Sequence, residues 1–133
     1  MRTRPTLAAA AVMLCAAGGL HAQPARPPGV TRVDLQHHDL SIPGREVYQL
    51  RVDFAPGSAF PRHRHPGEEI IYVIEGAIEY QLDGRPPVVL KAGDVLFVPD
   101  GAVHSAKNAG DTQAAELGTY VVEKGKPLTE IVG

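Results

Sequence analysis

From residue 46 onward a turn signal interrupts the chain every roughly 8 to 12 residues, a rhythm that suits short strands and leaves no room for long helices. The interruptions are Ala55-Pro56-Gly57, Glu75-Gly76, Asp83-Gly84, Lys91-Ala92-Gly93-Asp94, Pro99-Asp100-Gly101 and Asn108-Ala109-Gly110-Asp111. The segments between them read as β. In Glu46 to Phe54, Tyr48, Leu50, Val52 and Phe54 alternate with Gln49, Arg51 and Asp53, the pattern of a half-buried strand. Ile70 to Ile74 is apolar and rich in β-branched residues. Ala77 to Leu82 and Val88 to Leu90 flank Asp83-Gly84, a hairpin signal, and Pro86-Pro87 confines the return strand to an edge or a strand start. Val95 to Val98, Ala102 to Lys107 and about Ala114 to Val122 complete the set. No segment sustains a helical period. The expectation is a single all-β domain, a sandwich or a barrel, with Tyr48, Phe54, Phe60, Phe97 and Tyr120 in its core.

The first 22 residues read differently. Arg2 and Arg4 precede an apolar, Ala-rich run from Leu7 to Leu20, too short to span a bilayer comfortably. Leu20-His21-Ala22 offers a small residue for cleavage, so residues 1–22 are expected to be an export signal and the mature chain to be periplasmic. Residues 23–45 follow as an N-terminal arm. Gln23 to Gly29 is Pro-rich and extended, Val30 to Leu40 can be read either way, and His37 and His38 are expected in a solvated loop. Residues 46–123 form the barrel and 124–133 a C-terminal tail.

Cys15, the only cysteine, lies inside the signal segment. The mature chain therefore has no disulfide, no thiol chemistry and no thiolate zinc site. Loss of Arg2 and Arg4 takes the formal charge from −2 to −4. With no basic run, neither a nucleic-acid partner nor an anionic membrane surface has electrostatic support.

Two segments carry the chemistry. The first supplies His63, His65 and Glu69, and the second supplies His104. His63 and His65 are two apart and share a face of an extended strand. Glu69 has the same parity, whereas Glu68 points the other way with Ile70, Tyr72 and Ile74, an apolar stripe that is either a homodimer face or packing against another sheet. Three neutral imidazoles and one carboxylate suit a divalent first-row transition metal with positions left for water or substrate. Iron or manganese fits best, with zinc, nickel or copper open. Arg62 and Arg64 have the opposite parity and are expected to face outward. Asn108 is expected to stabilise a turn. No base is visibly paired with Ser105, so a Ser-His-Asp hydrolase is not supported.

The first segment fits Gly-x5-His-x-His-x3-Glu-x6-Gly from Gly57 to Gly76, and the second fits Gly-x5-Pro-x-Gly-x2-His-x3-Asn from Gly93 to Asn108. With every fixed position filled, the chain resembles the cupin superfamily, and its small single-domain bacterial members in particular. The resemblance implies a double-stranded β-helix, a jelly-roll-like barrel holding a metal on His63, His65, Glu69 and His104. Motif glycines Gly57, Gly76, Gly93 and Gly101 would occupy tight turns at positive φ. Arg51 to Gly57 also resembles the germin branch, but Ser105 stands where germins usually carry an aromatic residue, so germin oxalate chemistry is not carried over. The family contains dioxygenases, decarboxylases and isomerases. The reading favoured is a dioxygenase-like oxidoreductase acting on a small oxygenated or aromatic metabolite, with a non-catalytic binding module or a cupin isomerase or decarboxylase as alternatives. No proton donor or acceptor beyond the four ligands stands out.

Overall fold

A computed structural model describes residues 25–133; the expected export signal lies outside the described residues. Ten strands run in chain order: β1 (Val30–Asp39), β2 (Arg45–Phe54), β3 (Ala59–Arg64), β4 (Gly67–Glu75), β5 (Ala77–Leu82), β6 (Val88–Lys91), β7 (Val95–Val98), β8 (His104–Lys107), β9 (Ala114–Glu123) and β10 (Glu130–Ile131). They form two antiparallel five-stranded sheets, β1-β2-β9-β4-β7 and β10-β3-β8-β5-β6. The expected jelly-roll barrel is what this order builds, and no helix interrupts it among the described residues.

Alternation decides which side chains meet inside. Leu50, Val52 and Phe54 of β2 face Ile71 and Val73 of β4, Ala114 and Val122 of β9, and Ile78 and Tyr80 of β5 in one buried cluster. Cross-strand partners share a face, so the register defines rows of inward residues. One row of the first sheet runs Arg32, Val52, Glu116, Val73, and another runs Tyr48, Tyr120, Glu69, Val98. In the second sheet His63, His104 and Leu82 form one row and Phe60, Ala106 and Tyr80 the next.

The four motif glycines all have positive φ, 74° at Gly57, 67° at Gly76, 94° at Gly93 and 68° at Gly101. Gly67, which no motif position requires, is fixed by close approach. A Cβ there would stand 2.1 Å from the Val121 carbonyl oxygen. The backbone of β4 thus presses on β9 just before Glu69.

Three sequence expectations need correction or completion. Val30–Asp39 is a full strand paired along β2. Its pattern is inverted, with Arg32 and Asp34 on the inward face and Val33 and Leu35 half-exposed outside, so hydrophobic alternation gives no usable signal. His37 is therefore on a strand rather than in a solvated loop. Its ring stacks on Tyr48 with centroids 3.9 Å apart, and its Nε2 lies 2.8 Å from the buried Glu46 carboxylate. Phe97 is 55% exposed rather than core, because Val98 takes the inward parity of β7. The segment after residue 123 also belongs to the barrel. Glu130–Ile131 pairs with β3 and Leu128 is buried.

Candidate metal centre

His63, His65, Glu69 and His104 converge inside the barrel, with one ligand atom from each lying within 4.8 Å of all the others. All four are buried. His63 and His104 are direct cross-strand partners between β3 and β8. His65 follows the end of β3, and Glu69 comes from β4 in the facing sheet. Glu68 is opposite in parity and only partly buried, so the carboxylate at the centre is that of Glu69.

The hydrogen bonds fix the ring tautomers. His63 Nδ1 is 2.8 Å from the Pro61 carbonyl oxygen, His65 Nδ1 is 2.6 Å from that of Leu128, and His104 Nδ1 is 2.9 Å from that of Ala102. A carbonyl oxygen only accepts, so each Nδ1 carries the proton. In the neutral rings each Nε2 is then a bare lone pair aimed at the centre. Glu69 Oε2 joins them, 3.0 Å from His104 Nε2 and 3.2 Å from His65 Nε2. His65 Nε2 is a buried nitrogen without a hydrogen-bond partner. Acceptors gathered without donors repel one another and lose hydration, and a cation answers both problems. The backbone carbonyls provide the outer hydrogen bonds that orient metal-binding imidazoles.

The electrostatics agree. Burial, and then the neighbouring His104 and His65, pull His63 down to about 3, so it stays neutral and available. Burial alone would push the Glu69 carboxyl up, but His65 and the His104 hydrogen bond outweigh it and hold the carboxyl below the usual range. Burial likewise opposes charge on His104, but the Glu69 contact wins and raises its value. In the metal-free centre a proton on His104 Nε2 therefore takes part of the cation's place, pairing with Glu69 at 3.0 Å and leaving His65 Nε2 without a partner.

The centre lines a cavity of about 170 Å³ with Tyr80, Glu116, Tyr120, Phe60 and Arg32. Of these, Glu116 is a functional candidate that sequence reasoning missed. It is inward on β9, 5% exposed, and accepts a short hydrogen bond from Tyr80 Oη across the barrel. Burial, and then the Glu69 charge, push its carboxyl up to about 8, so it holds a proton at neutral pH. The phenols of Tyr80 and Tyr120 are raised for the same first reason, burial. Tyr120 lies over Gly118, where a Cβ would come within 2.7 Å of its hydroxyl oxygen. A glycine at this inward position is what lets the ring lie beside Glu69.

The remaining sequence candidates fall outside the centre. Arg62 and Arg64 face outward, paired with Asp83 at 2.5 Å and Glu130 at 2.7 Å. Asn108 is buried and its side-chain amide donates to the Phe54 and Thr112 carbonyls, while its oxygen accepts from Gly110 N–H. That is the turn-stabilising role expected of it.

A cupin-domain family model matches residues 50–123. The chain is 35% identical over 89 residues to germin-like protein subfamily 2 member 1 of Arabidopsis thaliana, covering 61% of this chain and 41% of that protein. It is 37% identical over 73 residues to an oxalate-binding protein of Thermotoga maritima, covering 54% of this chain and 60% of the relative. Among solved structures, an oxalate oxidase in complex with the substrate analogue glycolate superimposes with a TM-score of 0.65 at 27% identity, covering 85% of this chain and 61% of the oxidase. The chain thus spans less than two thirds of the length of each of these proteins.

Proposed function

The chain belongs to the cupin family, and from that premise we propose that it is an exported, metal-dependent oxidoreductase of the dioxygenase type acting on a small oxygenated or aromatic metabolite. The observation that carries the metal reading is the set of three imidazoles whose Nδ1 protons are all committed to carbonyls. Their Nε2 atoms and the Glu69 carboxylate are left with nothing but one another. His63, His65, Glu69 and His104 would hold a divalent ion, iron or manganese by preference among first-row metals, since hard and borderline donors are mixed and no thiolate is present. When bound, such an ion polarises substrate oxygen and provides open positions for chelation.

The protein supplies the rest. Phe60, Ile71 and Ala106 give the cavity apolar walls beside the centre. Glu116 keeps a neutral carboxyl hydrogen-bonded to Tyr80, a proton source beside the ligands. Tyr120 packs edge-on to His65, ring centroids 4.8 Å apart, and restrains it. Residues 1–22 direct the chain to the periplasm in this reading. A second copy covers the outward apolar face, where Ile70 pairs with Phe97 and Tyr72 with Val95, all about half-exposed in the single chain.

The likeness to an oxalate oxidase supports an oxidase-type reaction. The Thermotoga oxalate-binding relative favours a second reading, a binding module that holds a small molecule without turning it over. Metal analysis of the protein from its native compartment, followed by oxygen-uptake assays with catechols, flavonols and dicarbonyls, separates the two. Metal-dependent uptake supports the enzyme. Saturable ligand binding without uptake or product, across iron, manganese, nickel and copper, sinks the oxidoreductase reading and favours the module.

A further inference from the structure

Arg32 is an arginine on the inside of a barrel. It lies on β1, before the family-matched segment 50–123, so no cupin motif accounts for it. Its cross-strand partner is Val52, a core residue, and the same row continues to Glu116. Its side chain is 19% exposed, and it lines the cavity that contains His63, His65, Glu69 and His104. The same cavity is lined by the buried Tyr120, the cross-strand partner of Glu69.

The guanidinium is only partly used. Its Nε donates to Asp34 Oδ1 at 2.6 Å. Among the described residues no hydrogen bond takes either terminal nitrogen. Asp34 is inward by register but its side chain is 72% exposed, so it stands at the rim. Arg26, exposed and also lining the cavity, donates from Nη1 to the Arg32 carbonyl at 3.2 Å. The rim therefore carries two guanidinium groups and one carboxylate. By gripping Nε, Asp34 sets the plane of Arg32 and leaves its terminal nitrogens open, the geometry that receives a carboxylate. Asp34 meets the charge at the rim through Nε, and the terminal donors are left for a ligand.

We propose that Arg32 is the anion-recognition residue of this cavity and that the natural ligand is a small carboxylic acid, its carboxylate on the terminal nitrogens of Arg32 and its other oxygen groups turned toward the four-residue centre. This rests on the proposed small-molecule function and names the chemical class it acts on. Glu116, which accepts the Tyr80 hydroxyl proton and itself holds one, lines the same cavity and is placed to donate a hydrogen bond to the acid's remaining oxygens.

The test uses the full-length mature protein with its metal content measured, glycolate as the anionic probe and glycolamide as its uncharged counterpart, by calorimetric titration. Glycolate should bind at least tenfold more tightly than glycolamide. Arg32→Gln should weaken glycolate binding by about tenfold to a hundredfold, the worth of a hydrogen bond to a charged group, and change glycolamide binding little. Its metal content and melting temperature should stay at the wild-type level, which shows that the variant is folded. Asp34→Asn, which keeps an oxygen for Nε but removes the competing charge, should bind glycolate as tightly as wild type or more so. Equal affinity for the two probes, or an Arg32→Gln variant that binds glycolate like wild type, overturns the assignment even if the metal is present. Loss of metal from the wild-type protein instead marks failure of the metal reading, and the Arg32 comparison between the two probes still decides this one.

Discussion

Replacing Glu116 by Gln should stabilise the metal-free protein at neutral pH and not in acid. Glu116 is 5% exposed and its hydrogen bond comes from Tyr80. Burial, and then the charge of Glu69, push its carboxyl from the ordinary 4.5 up to about 8. A carboxyl with a raised folded value keeps a proton that the unfolded chain releases. Its contribution to stability is intact below about pH 4.5 and falls as the pH rises toward about 8. At pH 7 the difference is about two and a half pH units, which at roughly 1.4 kcal/mol each amounts to about 3 kcal/mol. Glutamine still accepts the Tyr80 hydrogen bond and never ionises, so it removes this cost. Any misfit of its amide NH₂, about 1–3 kcal/mol if unpaired, applies equally at every pH. The informative quantity is therefore the change with pH in the difference between variant and wild type. Urea unfolding of chelator-treated protein at pH 4, 5.5 and 7 should show the variant gaining about 3 kcal/mol on wild type between the first and last values. Parallel stability curves, with a constant offset between the two proteins, would refute a protonated Glu116 in the folded state.

Three further outcomes follow from packing. Gly118→Ala places a Cβ within 2.7 to 2.9 Å of the Tyr120 ring and hydroxyl. It should cost about 1–3 kcal/mol of stability by overpacking and weaken metal binding by displacing the neighbour of Glu69; unchanged unfolding and unchanged metal affinity would contradict the close approach. Gly67→Ala drives a Cβ into the Val121 carbonyl at 2.1 Å, so the backbone must move and soluble expression should fall steeply, with normal yield and melting temperature counting against the assigned β4–β9 contact. Phe97→Glu puts a charge at the centre of the outward face formed with Ile70, Tyr72 and Val95. In sedimentation analysis it should convert a dimer to monomer with little loss of fold, and a wild-type chain that sediments as a monomer would dispose of that interface.

Three of the four centre residues were legible because their spacing is local, and His104, 35 residues beyond Glu69, because it fills a fixed position in the Gly93 to Asn108 motif. His63, His65 and Glu69 lie within seven residues, and strand parity and motif spacing together separate Glu69 from Glu68. The strands of the barrel were legible for a similar reason, since turn residues mark their ends. What escaped is what arrives by register from distant strands. Glu116 reaches Tyr80 across 36 residues of sequence, and nothing near either residue announces the meeting. A signal did exist in β9. Ala114, Glu116, Gly118, Tyr120 and Val122 share one parity, and four of the five are small, aromatic or apolar, so the carboxyl among them is the odd member of an inward face. β1 was obscured by the opposite effect. Arg32 and Asp34 face in while Val33 and Leu35 face out, which cancels the amphipathic pattern that usually identifies a strand. Phe97 was misplaced because residue type was weighed above parity, and Val98 holds the inward position beside it.

The metal centre is tested most directly by counting metal per chain in wild-type protein and in His63→Ala and His104→Ala variants, each shown by circular dichroism to keep its β fold. Three lone pairs and a carboxylate within 4.8 Å of one another predict one divalent ion per wild-type chain and a large loss in both variants. Variants that keep the full wild-type metal content would contradict the site.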